Sequence, residues 1–172
     1  ARGTTDWLGQ VRIDLSGVKN LDRMTNTPDP RDFYRVTRAV LMPSVWVENG
    51  GLVARESLAN GIPVLASDRG GLPETLGESG FVFTLPVQCT PQSGYVPTAR
   101  EVAPWVATVE RLWDDPAWEA KHSALALAAA QEWDPSRLTD RYLDFFIRLV
   151  RGYIYLRMRI RGREQPDSGG SS

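Results

Sequence analysis

The sequence predicts an α/β fold: a Rossmann-like parallel sheet with flanking helices, followed by a C-terminal helical segment. Three observations carry that prediction. Residues 39–42 (AVLM) are wholly apolar and residues 63–67 (PVLAS) nearly so. Such short runs read as strands buried on both faces, which means a parallel sheet with helices above and below. These runs alternate with helical patterns in the order β-α-β-α-β, the arrangement of a doubly wound sheet. From residue 101 onward the apolar residues fall at helical spacing instead.

The elements follow in order. Val11, Ile13 and Leu15 alternate with Arg12 and Asp14, which suits a short strand, and residues 18–21 suit another. Residues 25–30 (TNTPDP) are turn chemistry. Asp29 or Asp32 is then placed to cap a short helix carrying Phe33, Tyr34, Val36 and Thr37. After the strand at 39–42 comes a helix over residues 52–60, with Leu52, Val53, Leu58 and Ala59 expected to face the core. Gly61 sits where a helix-ending glycine belongs, with Pro63 just beyond. Gly70 and Gly71 precede a helical turn opened by Leu72, Pro73 and Glu74, and residues 81–83 read as a further strand. Residues 86–100 hold three prolines and form a loop.

Three helical stretches close the chain. In residues 101–115, Val102, Trp105, Val106, Val109 and Leu112 share one side. Residues 118–133 are Ala-rich. Pro135 suits a first helical turn, and the apolar face from Leu138 to Val150 is expected to be core. Residues 1–152 are therefore expected to form one domain, including helices over 101–152, with 153–172 a basic and then disordered tail. Arg148, Arg151, Arg157, Arg159, Arg161 and Arg163 crowd this end. They suit either peripheral contact with anionic lipid headgroups or a solvated helix end complementing the helix dipole.

Composition narrows the function classes. The chain has 172 residues, 42% hydrophobic and 24% charged, as an ordinary globular protein does. A net charge of -1 gives no global support to nucleic-acid binding. Cys89 and His122 are each alone, which removes an intrachain disulfide and a Cys/His zinc site. A reducing, cytoplasmic setting fits. His122 lies in a helical stretch and reads as an ordinary helix residue. No run approaches the ~20 apolar residues of a spanning helix. The opening ARGTTDWLGQ has neither Met nor a signal-peptide core, so the expectation is a piece of a longer protein.

The chemistry concentrates in residues 43–74. The first N–H groups of a helix lack intrahelical partners, and in open α/β folds they point at the crevice where ligands bind. Gly50 and Gly51 stand at such a helix start and let a ligand approach the backbone. A diphosphate there would gain charge-assisted hydrogen bonds and the helix dipole. Glu48 precedes the helix, and Glu56 lies ~7 Å along its axis at 1.5 Å per residue. An ionised carboxylate accepts from both hydroxyls of a vicinal diol, so Glu56 suits a ribose and Glu48 a sugar. The bland alternative is a tight turn at Gly50 and Gly51 with two solvated or capping carboxylates.

An ordered set of motifs bears on that choice: YRVTRAVLMPS at 34–44, a pair of glutamates separated by seven residues (Glu48-NGGLVAR-Glu56), NGIPVLAS at 60–67 and GGLPE at 70–74. Residues 30–83 with these motifs resemble the C-terminal, donor-binding domain of GT-B glycosyltransferases, in the family containing glycogen and sucrose synthases and many retaining bacterial enzymes. Two departures stand out. The aromatic residue usual after the first Glu is replaced by Asn49-Gly50, and Arg55-Glu56-Ser57 stands where Leu-Glu-Ala is usual.

The resemblance implies one half of a GT-B fold and transfer of a sugar from a nucleotide-sugar, with retention, to a glycan or lipid-linked acceptor. Glu48 would contact the transferred sugar as the catalytic residue. The backbone at Gly50, Gly51, Leu52 and Val53 would meet the sugar and diphosphate, and Glu56 the ribose. Ser44 would end the strand beneath the site, and Gly70 and Gly71 would line the cleft. No cofactor or metal is expected, in keeping with the lack of an Asp-x-Asp motif. The implied partners are a nucleotide-diphosphate sugar and an N-terminal acceptor-binding domain outside this chain. In the family the last helix crosses back to pack on that domain. Residues 136–152 could do so, leaving an exposed apolar patch on this chain. The family's Arg and Lys that neutralise the diphosphate have no convincing match, so the chain alone is expected to catalyse poorly. A non-catalytic interaction domain on the same scaffold and a nonhydrolysing sugar-nucleotide epimerase remain as alternatives.

Overall fold

The computed structural model describes Lys19, Met24 and residues 27–161, with backbone alone at 158–161. The strand expectations at 11–15 and 18–21 lie outside the described residues, Lys19 apart, which sits in a turn. The chain divides into two compact units, residues 1–37 and 38–172.

In the first unit, helix α1 (Arg31–Tyr34) follows the expected turn. Its N-cap is Pro30, without a side-chain cap, so neither candidate aspartate holds that position. Asp29 instead accepts from the Arg31 N–H at 3.0 Å, one residue early. The Arg31 guanidinium pairs with the same carboxylate and holds its pKa below the usual value. The helix stops at Tyr34, short of Val36 and Thr37.

The second unit holds the sheet: β1 (Val40–Met42), β2 (Val64–Ser67) and β3 (Phe81–Phe83), all parallel, in the order β1-β2-β3. Val40 pairs with Val64, and Leu65 with Phe81. The connections are helices α2 (Leu52–Ala59) and α3 (Leu72–Leu76), which gives the β-α-β-α-β order expected. Central β2 is buried at every position, as its apolar run predicts. Edge strand β1 is not: Leu41 is 52% exposed and opens onto an apolar groove beside Trp105 and Val106. A run of four apolar residues reads the same whether one or both flanks are covered.

Of the four residues expected to face the core from helix α2, only Leu58 does. Ala54, Ser57 and Leu58 are buried, whereas Leu52, Val53 and Ala59 are exposed. Small residues let the helix lie close on the sheet, and they outrank bulkier apolar ones at the margin. Gly61 ends α2 at φ 69°, and a methyl group there would stand 3.1 Å from Leu127.

Helix α4 (Ala99–Asp114) starts with a capping box. The Thr98 hydroxyl accepts from the Glu101 N–H, and the Glu101 carboxylate accepts from the Thr98 N–H at 2.7 Å. Its inner face brings Trp105 and Leu112 against Leu65, with Phe83 4.6 Å from Trp105 between ring centroids. Helix α5 (Pro116–Ala130) packs against α2 and α4 and leads into a 3-10 turn, Gln131–Trp133. For the last helix, α6 (Pro135–Arg161), the expectation of core burial fails and that of an exposed apolar patch is met. From Arg141 to Arg157 every residue is exposed, so Tyr142, Phe145, Phe146 and Leu149 are surface, not core. The helix also runs unbroken past residue 152.

Candidate functional site

The site is the loop from β1 to α2. Four hydrogen bonds hold it. The Ser67 hydroxyl, buried at the end of β2, donates to the Ser44 carbonyl at 2.6 Å. The Ser44 hydroxyl donates to Glu48 Oε1 at 3.0 Å and so aims that carboxylate. The Gly71 N–H donates to the Glu48 carbonyl at 2.6 Å, and the Thr75 hydroxyl donates to the Gly50 carbonyl at 2.9 Å. Parallel strands β1 and β2 thus supply the floor, and the start of α3 fastens the loop from behind.

Gly51 is the N-cap of α2, in the left-handed region at φ 54°, with no side-chain cap. The uncapped helix start opens into a cavity of about 430 Å³ lined by Val47, Glu48, Asn49, Gly50, Gly51, Leu52 and Arg55. Donors at a helix start combined with a positive dipole end suit an anion.

Of the residues expected from the sequence, Glu48, Gly50, Gly51 and Leu52 meet at this cavity. Val53 and Glu56 follow on α2 outside its lining, and Ser44 acts through Glu48. Gly70 and Gly71 stand behind the loop. A methyl on Gly70 would overlap the Glu48 backbone, and one on Gly71 would come 2.8 Å from the Asn49 carbonyl oxygen. Their absent side chains let α3 approach the loop.

Arg55 and Thr75 are the residues that sequence reasoning missed. Arg55 lies one helical turn after Gly51, a spacing that puts it on the same face as the helix start. Its guanidinium stacks 3.8 Å above the Trp133 ring, and its Nε is buried without a hydrogen-bond partner. It brings a cation to the cavity, beside Gly50. No sequence signal marks Thr75, whose role depends on where α3 packs. No group of three or more His, Cys, Asp or Glu able to hold a metal occurs among the described residues.

The parallel sheet with helical crossovers is Rossmann-like, of the GT-B type, with an uncapped helix start at Gly51 beside Glu48. The chain belongs to the glycosyl transferases group 1 family, whose model matches residues 18–124. A D-inositol 3-phosphate glycosyltransferase from Arthrobacter sp. (strain FB24) is 30% identical over 129 residues, covering 75% of this chain and 28% of the relative. One of the same name from Streptomyces avermitilis is 36% identical over 128 residues, covering 72% of this chain and 24% of the relative. The chain thus spans about a quarter of the length of these relatives. Among solved structures, Anabaena HepE in complex with UDP-glucose matches with TM-score 0.64 and 20% identity, over 84% of this chain and 37% of that one. The GtfA/B complex matches with TM-score 0.63 and 18% identity, over 83% and 27%. Both share the fold.

Proposed function

We propose that this chain is the donor-binding half of a metal-independent glycosyltransferase. It holds a nucleoside-diphosphate sugar for transfer, with retention, to an acceptor carried by an N-terminal domain. The observation that carries this is the uncapped start of α2 at Gly51, open to a cavity with Glu48 at its edge and Glu56 further along the same helix. The diphosphate lies against the N–H groups around Gly51 and Leu52, with Arg55 beside it. Glu48, oriented by Ser44, accepts from a hydroxyl of the transferred sugar, and Glu56 accepts from the ribose. HepE was solved with UDP-glucose, which makes UDP-sugars the first donors to test. The relatives' name adds a phosphorylated inositol to the glycan and lipid-linked acceptors worth assaying. In this reading residues 1–152 belong to the donor domain, and the protein works in the cytoplasm.

The test is calorimetric titration of the chain with UDP and GDP, and with their sugar conjugates, with and without a chelator. Glu56→Ala should weaken binding by ~1–3 kcal/mol, the range for hydrogen bonds to a charged group. Chelation should change nothing. Undiminished binding by Glu56→Ala removes the ribose role, and no nucleotide binding at any concentration favours a non-catalytic scaffold.

A further inference from the structure

Arg55 is held in a way that packing alone does not explain. It stands half-buried one turn into α2, and its guanidinium lies 3.8 Å above the Trp133 ring. Two other arginines stack on tryptophans, and each of those also meets an oxygen. Arg38, over Trp113, donates to the Leu112 carbonyl at 3.2 Å. Arg111, over Trp118, pairs with Asp115 at 3.9 Å. Arg55 differs. Its Nε is buried without a partner, and the ion pairs among the described residues do not include it. A buried donor left unpaired is costly and calls for an explanation.

The same guanidinium borders the cavity at the α2 start, with Glu48, Gly50, Gly51 and Leu52. A Cβ on Gly50 would stand 2.7 Å from Arg55 Nη2, so the guanidinium takes the space that a side chain at 50 would need. It thus has an indole against its face and a residue without a side chain beside its tip. A planar guanidinium can give one face to an aromatic ring and still donate from its edge. Stacking therefore leaves the N–H groups available and fixes the plane in which they point. Trp133 reaches this place because α5 packs along α2 and leads directly into the 3-10 turn.

We propose that Trp133 is a positioning residue of this site: it holds the Arg55 guanidinium beside Gly50 as a preset cation for the diphosphate of the donor. This rests on the reading that the α2 start takes a nucleoside-diphosphate sugar. The N–H groups around Gly51 and Leu52 and the edge of Arg55 then converge on one anion. A free arginine side chain would lose its rotamer freedom on binding, whereas on Trp133 that loss has already been taken in folding. The indole acts through Arg55. By this route the 3-10 turn, which lies beyond the family-matched residues 18–124, belongs to the donor site.

Inorganic pyrophosphate is the probe, because it carries the anion without base, ribose or sugar. Calorimetric titration should show it binding to the full 172-residue chain, and less tightly at high salt. Arg55→Ala should weaken binding at least about tenfold. Arg55→Lys should recover little, since it keeps the charge and loses the planar fork. Trp133→Ala should weaken binding about threefold or more, and Trp133→Phe much less. A fall that reported only lost packing would persist without Arg55. In the Arg55→Ala background, Trp133→Ala should therefore change pyrophosphate affinity by less than about twofold. An equal loss in both backgrounds overturns the proposal, as does parental binding by Arg55→Ala or by Trp133→Ala. So does a parent chain that binds no pyrophosphate. UDP-glucose, compared between the parent and Glu56→Ala, tests the donor reading separately. Pyrophosphate binding that obeys the cycle, with UDP-glucose no tighter, supports Trp133 as the positioning residue and overturns the donor reading alone.

Discussion

Gly70 shows how a single residue shapes the loop through the side chain it lacks. It sits at φ 63°, and a Cβ there would run into the Glu48 backbone. Gly70→Ala should therefore cost more than about 2 kcal/mol, from left-handed strain plus displacement of the loop. Urea denaturation should show this, with Gly94→Ala, open on all sides, close to wild type. A Gly70→Ala protein of wild-type stability would place the loop differently. His122 offers a pH handle. Its ring lies 4.6 Å from Phe81 and 4.5 Å from Trp118, and its Nδ1 is buried without a partner. Burial first, then Lys121 and Arg111, hold its pKa below the ordinary value. The unfolded chain thus takes up this proton before the folded one does. The His122 contribution is intact above about pH 6.5 and shrinks as pH falls below that toward the folded pKa. His122→Phe should lose less melting temperature on acidification than the parent; an equal loss assigns the effect to other groups. The spacing of Glu48 and Glu56 was legible because a helix start has a fixed geometry. Thr75 and the packing role of Gly70 were not, because they depend on α3 folding back onto the loop.

Among the elements, α4 is the one whose start was written most locally. Thr98 and Glu101 form a reciprocal cap, and Tyr95 donates to the Glu101 carboxylate at 2.8 Å. The Thr98 N–H, followed by the Thr98 and Tyr95 hydroxyls, holds the Glu101 pKa below its usual value. Thr98→Ala should cost ~1 kcal/mol in chemical denaturation, and Thr98→Ser much less. Leu112→Ala, at the buried end of the same helix, should cost ~2–5 kcal/mol because it leaves a cavity beside Leu65 and Trp105. A smaller loss from Leu112→Ala than from Thr98→Ala would mean that α4 hardly packs on the sheet. The β-α-β-α-β order was readable because buried strands and glycine stops are local signals. The inner face of α2 was not, since Ala54 and Ser57 declare themselves only through close approach to the sheet. The apolar face of α6 pointed to core, because periodicity reports a face and not what covers it.

At the scale of the whole molecule, the cavity at the start of α2 has one wall. Its lining comes entirely from residues 47–52 and Arg55, and Leu52 beside it is 70% exposed. Oriented dipoles stabilise a developing charge best where water is excluded, and in the proposed function an open cavity would leave the departing diphosphate in high dielectric. Arg55 is the cation that its lining supplies, stacked by one face on Trp133. The chain also spans about a quarter of the length of its relatives. Binding and turnover should therefore separate. The chain alone should bind a nucleotide-sugar weakly, with Arg55→Ala reducing that binding further, and should release no nucleoside diphosphate above the uncatalysed rate in the presence of acceptor. A protein of the relatives' full length carrying this segment should turn over, and Glu48→Gln in it should depress kcat more than donor affinity. Coupled-assay detection of released diphosphate decides the matter. Sustained turnover by the isolated chain would mean that a single wall is enough, and that Glu48, Arg55 and the α2 start do the chemistry unaided.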